Sequence, residues 1–347
     1  MRALVYHGPG MKSWEQVPDP TILADTDAIV QVDGVTICGT DLHILKGDVP
    51  AVTDGRILGH EAVGTVMEVG PGVKNVHLGD RVLVSCITAC GRCRYCREGQ
   101  YGQCLGGGGW ILGHKIDGTQ AEYVRVPFAD NSTHPVPAGV TDEEVLMMAD
   151  ILPTGYEVGV LNGRVRPADT VAIVGSGPIG LAAILGAKLH SPSHIVAIDL
   201  ATARLDAAKQ FGADITINSG DDDPVARVME LTDGLGADVT IEAVGVPETF
   251  ELCARLVRPG GHVANVGVHG KPAALHLEDL WIKNVTITTG LVDTYSTPTL
   301  LSLVASRQIE PARFITHRFG LDEFMDAYDV FSRAGETGAL KVALSRR

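Results

Sequence analysis

The chain has 347 residues, 45% of them apolar and 20% charged, the proportions of a soluble globular protein long enough for two domains. Its formal charge of −14 argues against any general attraction to nucleic acid or to anionic membrane. The opening run MRALVYHGPGMKSWEQV lacks the apolar stretch of a secretory signal, and the seven cysteines are an odd count for a disulfide scheme; both point to a cytoplasmic protein with reduced thiols.

Up to about residue 130 the chain reads as β-rich. Alternation of apolar and polar residues runs through 28–37, 62–70, 80–85 and 121–126. Gly and Pro punctuate these runs, which predicts a compact barrel-like domain with long loops. One loop interrupts it. The run CGRCRYCREGQYGQC carries Cys90, Cys93, Cys96 and Cys104 in the spacing C-x2-C-x2-C-x7-C, with polar residues and glycine between them. Such a loop can present four sulfurs to one ion, and this pattern predicts a metal site rather than a disulfide framework. A Zn²⁺ held by four thiolates has no position left for substrate.

At Thr141 the period changes. TDEE ahead of VLMM predicts a helix start, with Thr141 as N-cap and Glu144 completing a capping box. Strands then alternate with helices. Strands are predicted at 170–174, 194–198, 214–217, 238–243, 262–266 and 285–289, and helices at 178–190, 201–211, 224–231 and 247–257. That alternation means a doubly wound parallel sheet. A last strand is expected around 339–344. The nearly uncharged stretch from Val171 to Leu189 is long enough to resemble a membrane span. Its GSGPIG centre favours a buried strand followed by a buried helix.

That centre is also the candidate cofactor site. Gly175, Gly177 and Gly180, with Pro178 and Ile179, link a predicted strand to a predicted helix. Here glycines allow a tight turn and the approach of a pyrophosphate to the helix N-terminus. Asp199, at the end of the next strand, is placed to accept hydrogen bonds from the adenosine ribose and to repel a 2′-phosphate, which favours NAD(H) over NADP(H). Arg204 complicates this, because a nearby arginine can serve a 2′-phosphate.

Other candidate metal ligands are scattered: Cys38 in TICGTDLH, His60 and Glu61 in ILGHEAVG, and Asp150 in MMADILPTG. Their spacing does not show that they meet. Taken singly, they read equally as a core thiol, a half-buried histidine, a surface charge and a turn residue.

As a set they resemble something specific. The segments Cys38–His43 (CGTDLH), Gly59–Gly64 (GHEAVG) with Gly70, the Cys90–Cys104 loop, Asp150, and Gly175–Gly180 with Asp199 resemble, in the same order and nearly end to end, the zinc-dependent alcohol dehydrogenases of the medium-chain dehydrogenase/reductase family. The resemblance implies a GroES-like catalytic domain over 1–152 with a structural zinc lobe at 86–112, a Rossmann NAD-binding domain over 153–294, and a return to the catalytic domain over 295–347. It implies two Zn²⁺ per chain. Cys38, His60 and Asp150 resemble the ligands of a catalytic zinc, and the aspartate, where many relatives have cysteine, makes that site harder. Glu61 resembles an acid that can approach the zinc, and Asp41 a partner that orients His60. Cys90, Cys93, Cys96 and Cys104 resemble the structural site. Cys86 and Cys253 match no ligand position.

The resemblance also implies a mechanism. Zinc lowers the pKa of a bound alcohol, the zinc-bound alkoxide gives hydride to the nicotinamide, and the proton leaves through Thr40, the ribose and His43, an imidazole suited to a relay near neutral pH. Thr154 resembles a residue near the nicotinamide. Val268 and Leu291 end predicted strands, where ligands sit in such sheets. Lys341 in GALKVAL is assigned to the pyrophosphate, with a surface lysine as the equal alternative. Trp110, after four glycines, is assigned to the substrate pocket over a plain loop anchor. The expected substrate is a small alcohol, aldehyde or ketone. ICGTDLHI also resembles threonine dehydrogenases, so an L-threonine or polyol dehydrogenase stands as the alternative, while MADILPTGYEVGV looks more like the secondary-alcohol and formaldehyde branches. A non-catalytic NAD(H) sensor would lack ligands or relay, and both are present. By resemblance a homo-oligomer is expected, tetramer before dimer.

Overall fold

The computed structural model describes residues 1–346. The chain divides into two compact units, Met1–Asp150 with Asp293–Arg347, and Ile151–Val292.

The second unit holds the doubly wound sheet. Its six strands are β1 (Thr170–Val174), β2 (His194–Asp199), β3 (Ile215–Asn218), β4 (Ala237–Glu242), β5 (Val257–Asn265) and β6 (Thr286–Thr289). They lie all parallel in the order β3-β2-β1-β4-β5-β6. The helices between them are α1 (Pro178–Lys188), α2 (Thr202–Phe211), α3 (Pro224–Leu231) and α4 (Pro247–Leu256). β1 is buried along its whole length, which is why its sequence is an apolar run without alternation.

Two features depart from expectation. β5 begins at Val257, ahead of the expected 262, because the Pro259–Gly261 run is drawn into the strand through a register shift opposite Ala237 and Val239. Ile151–Leu161 is helical, widening to π-helical turns from Gly155. Pro153 lies in the first turn, where its missing N–H costs nothing. Gly155 lets this helix press on α1, since a Cβ there would come within 2.7 Å of Ala182. Among the described residues no helix is long and apolar enough to cross a membrane.

The first unit is β-rich. Its main sheet runs Ile315–Gly320, Lys341–Ser345, Ala28–Thr36, Ala62–Val69, Arg81–Val84, Thr133–Pro135, with Tyr123–Val126 also paired to Ala28–Thr36. All its pairings are antiparallel except that between the two C-terminal strands. A smaller sheet joins Lys12–Gln16, Arg2–Tyr6 and Arg56–Ile57. The core packs Val30, Val32, Val35, Val66, Val82 and Leu344 against the helix Phe324–Ser332 through Phe324, Tyr328 and Phe331. The Thr141 capping box forms as predicted, with Thr141 Oγ1 accepting from Glu144 N and Glu144 accepting from Thr141 N.

Candidate metal and dinucleotide sites

Sheet register brings the scattered ligands together. Ala62 pairs with Val35 on one side and Val84 on the other. The chain leaving the first strand therefore carries Cys38, the chain entering the second carries His60 and Glu61, and the chain leaving the third carries Cys86, all at one end of the sheet. Asp150 arrives after the capped helix Asp142–Leu146. One donor atom from each of Cys38, His60, Glu61 and Asp150 lies within 4.8 Å of the others. Cys38 Sγ contacts Asp150 Oδ2 at 3.5 Å, His60 Nε2 stands 3.4 Å from the same oxygen, and Cys86 Sγ is 3.7 Å from Asp150 Oδ1.

The electrostatics of this cluster suit a divalent cation. Burial, and then the Asp150 carboxylate, push the Cys38 thiol above its ordinary pKa. Burial alone would lower His60, but hydrogen bonds to Asp150 and Cys38 outweigh it and raise the imidazole well above its usual value. Burial also raises Glu61 against the opposing pull of Lys341. Thiol, imidazole and carboxylates thus converge in one buried cluster, a donor set that a Zn²⁺ ion would bind with release of the thiol proton.

Around the cluster, Asp41 is fully buried. Its Oδ2 accepts from Cys38 N and Gln120 Nε2, both at 2.9 Å, and Tyr328 OH donates to Gln120 Oε1 at 2.8 Å. Asp41 Oδ1 has no hydrogen-bond partner among the described residues, so its effect on His60 is through charge. Gln120 and Tyr328 carry no local motif, and sequence reasoning missed them. Thr40 Oγ1 lies 3.7 Å from Cys38 Sγ. His43, three residues along the same helix Gly39–Lys46, contacts Asp48 at 2.9 Å with its side chain 42% exposed. Trp110 sits edge-on to His60 with ring centroids 6.4 Å apart and stacks on His114 at 4.3 Å.

Lys341 needs correction: it is neither a surface lysine nor free for a pyrophosphate. The pairing of Ala343 with Thr36 sets Lys341 abreast of Cys38. There Nζ donates to Glu61 Oε1 at 2.7 Å, Glu61 Oε2 at 3.0 Å and the Ile37 carbonyl at 3.1 Å. The signal was a lysine inside the apolar run ALKVAL, where an unpaired charge could not stay.

The four-cysteine loop gathers its donors within 4.8 Å of one another. Cys90 and Cys96 Sγ are 3.9 Å apart, almost twice a disulfide bond. Backbone N–H groups turn toward the sulfurs: Cys96 N and Leu105 N to Cys93, Cys90 N and Gly106 N to Cys104. Those from Cys96 and Leu105 bring the Cys93 thiol down to about 6, while burial, then Cys93 itself, push Cys96 up to about 12. The loop is arranged to stabilise thiolate charge, as a four-thiolate ion requires.

In the second unit the glycine-rich turn joins β1 to α1. Gly175 has φ +98°, and a Cβ on Gly180 would run into the Gly175 carbonyl. Gly177 faces open space at the uncapped N-terminus of α1, where a phosphate meets free N–H groups. Pro178 and Ile179 form the helix's first turn. Asp199 accepts from Ser176 N at 2.7 Å and Ala201 N at 2.9 Å, and Arg204 reaches to 4.0 Å from it. The carboxylate is thereby pinned at the end of β2 with lone pairs left for ribose hydroxyls. Thr154 closes the first turn of the Ile151–Leu161 helix. Val268 and Leu291 are exposed just past β5 and β6. Leu200, Val244 and Val246 are exposed after β2 and β4, aliphatic residues at the carboxyl ends of strands that sequence reasoning did not single out.

Comparison with known proteins agrees with these features. The alcohol dehydrogenase GroES-like domain family matches residues 24–138, and the zinc-binding dehydrogenase family matches residues 178–306. A solved structure of zinc-dependent alcohol dehydrogenase 2 from Streptococcus pneumonia is 50% identical with a TM-score of 0.96, covering 100% of this chain and 98% of its own. The alcohol dehydrogenase of Thermus sp. ATN1 is 38% identical with a TM-score of 0.93 over all of both chains. An alcohol dehydrogenase of Cupriavidus necator is 38% identical over 99% of this chain and 98% of its own.

Proposed function

Because the chain belongs to the zinc-dependent alcohol dehydrogenases of the medium-chain dehydrogenase/reductase family, we propose that it oxidises small alcohols, and reduces the matching aldehydes or ketones, with NAD(H) and two Zn²⁺ per chain. The convergence of Cys38, His60, Glu61 and Asp150 within 4.8 Å carries this reading. Cys38, His60 and Asp150 would hold the catalytic ion, with Glu61 kept beside it by Lys341; Cys90, Cys93, Cys96 and Cys104 would hold the structural one. When bound, Zn²⁺ acidifies the substrate hydroxyl and NAD⁺ accepts the hydride.

The chain's own residues supply the rest. Thr40 Oγ1, beside Cys38 Sγ, would accept the hydroxyl proton while giving up its own, and His43, half-exposed and held by Asp48, would release a proton to water at the far end of a relay whose middle member would be the cofactor ribose. Trp110, next to His60, provides an apolar wall for the substrate carbons. Gly175–Gly180 cradle the pyrophosphate, Thr154, Val268 and Leu291 serve the nicotinamide end, and Asp199 selects NAD over NADP by meeting a 2′-phosphate with like charge. Arg204 pairs with Asp199 rather than standing free for that phosphate.

We further propose a homo-oligomer, a tetramer in preference to a dimer, built through the sheet edge. Among the described residues β6 pairs only with β5, and Leu277, Trp281 and Ile282 nearby are 61%, 74% and 68% exposed. An open edge flanked by apolar residues favours another copy of itself. The thiolate sites need a reducing compartment, so we place the protein in the cytoplasm. Metal analysis together with steady-state rates on ethanol, 2-propanol, butanediol, sorbitol and threonine, with NAD⁺ and NADP⁺, tests the reading. Two zincs per chain and turnover of simple alcohols with NAD⁺ are expected; turnover of threonine alone, or NADH oxidation that survives loss of the ion at Cys38, would overturn it.

A further inference from the structure

Glu242, in the second unit, is a fully buried carboxylate with no part in the sites above. Glu242 ends β4, and its Oε1 accepts from Val244 N at 2.9 Å, Gly245 N at 2.8 Å and Thr249 Oγ1 at 2.7 Å. Its Oε2 has no hydrogen-bond partner among the described residues and lies 3.5 Å from His269 Nε2. His269 follows β5 and is itself held by Asn265 Oδ1 at 2.9 Å, while Asn265 Nδ2 donates to the Gly267 carbonyl at 3.1 Å. The two loops are in tight contact. A Cβ on Gly267 would strike Glu242 Oε2 and Gly245 N, and one on Gly245 would strike the Val268 carbonyl. Side-chain freedom is therefore given up on both sides of one carboxyl group.

The place of these loops gives the tie a purpose. A pyrophosphate at the β1–α1 turn and an adenosine ribose at Asp199 on β2 leave the nicotinamide half of the cofactor over the other side of β1, toward β4 and β5. That is where Val244 and Val268 stand exposed above Glu242 and His269. We propose that Glu242 and His269 are positioning residues that lock the loops after β4 and β5 into one surface for the nicotinamide ring of NAD(H). The inference rests on the NAD reading above. A buried carboxyl group spent on loop N–H groups, and an imidazole whose Nδ1 is enclosed without a hydrogen-bond partner among the described residues, cost more than simple loop closure requires. A preformed binding surface accounts for them, because loops already ordered need not be ordered by the ligand.

ADP-ribose, which lacks only the nicotinamide ring, separates the ring from the rest of the cofactor. The test titrates zinc-loaded wild type, Glu242→Gln and His269→Ala with NADH by fluorescence and with ADP-ribose by calorimetry. Both variants should bind NADH roughly three- to tenfold more weakly, the effect of having to order one or two loop side chains, and ADP-ribose as tightly as wild type does. Equal weakening of both ligands would mean general damage and overturn the proposal, as would unchanged NADH affinity. His269 is only partly buried, so His269→Ala carries the test even if Glu242→Gln does not fold. Wild type that bound neither ligand would instead overturn the NAD reading itself.

Discussion

Lys341→Met removes the ammonium that is hydrogen-bonded to Glu61. The pair is enclosed, with each side chain 1% exposed, and Nζ makes three hydrogen bonds, two to Glu61 and one to the Ile37 carbonyl. Methionine fills nearly the same volume, so the loss is electrostatic rather than a cavity. Breaking one side of a buried pair costs about 3–5 kcal/mol, because the remaining charge has neither water nor partner. Against a typical total of about 5–15 kcal/mol this is a large fraction. The double variant Lys341→Met/Glu61→Leu removes both charges. It should recover most of that loss and retain a deficit of about 1 kcal/mol from the Ile37 carbonyl, which loses its donor in either variant. Urea unfolding of the metal-stripped proteins, followed by far-UV dichroism and tryptophan fluorescence, measures both steps. A single variant within about 1 kcal/mol of wild type, or a double variant no more stable than the single, would refute the view that Lys341 exists to neutralise Glu61.

Three further outcomes are expected. Cys93→Ser should cost one zinc per chain and expose the loop to trypsin at Arg92, Arg94 and Arg97, while the chemical step in protein that stays folded is spared; a selective loss of that step would mean the loop takes part in turnover. Asp199→Ala removes an acceptor fixed by Ser176 N and Ala201 N, so NADH affinity should fall by about 10- to 100-fold, the value of hydrogen bonds to a charged group, and the preference over NADPH should shrink; an unchanged preference would clear Asp199 of that role. His134 is half-buried, with Nε2 enclosed and lacking a partner among the described residues, and burial holds its pKa at about 4. The unfolded imidazole takes up its proton near the ordinary 6.5. The contribution is therefore intact above pH 6.5 and fades as pH falls toward 4, by about 3 kcal/mol in all. His134→Leu should flatten that part of the acid profile, and equal acid slopes in the two proteins would exclude His134 as its cause.

What could be read from sequence was what is local in sequence. The cysteine loop spans a few turns of chain, so spacing alone announces its chemistry. The β1–α1 turn and Asp199 are likewise set by one βαβ unit, and the Thr141 box by four residues. The Ile151–Leu161 helix was hidden because Pro153, Gly155 and Gly159 look like breakers, and only the contact with α1 shows why glycine is required there. Convergence of Cys38, His60 and Asp150 was invisible for a different reason. It depends on which residues of three antiparallel strands lie side by side, Val35 with Ala62 and Ala62 with Val84. A shift of one residue in either pairing would turn the ligands to the other face of the sheet. Family resemblance supplied that information; residue types did not.

Lys341 shows where resemblance in turn falls short. By sequence Lys341 reads equally as a pyrophosphate ligand and as a surface lysine. The register of the last strand decides otherwise, since it sets Lys341 abreast of Cys38, where its ammonium donates to Glu61 and the Ile37 carbonyl. The consequence reaches the chemistry. A carboxylate beside such a cluster would be available to a cation only to the extent that its neighbouring ammonium releases it, so on the proposed zinc reading the Lys341–Glu61 pair would set how readily Glu61 could turn toward the ion. The C-terminal strand therefore does more than complete the sheet: it delivers the ammonium that holds Glu61 beside the Cys38, His60 and Asp150 cluster.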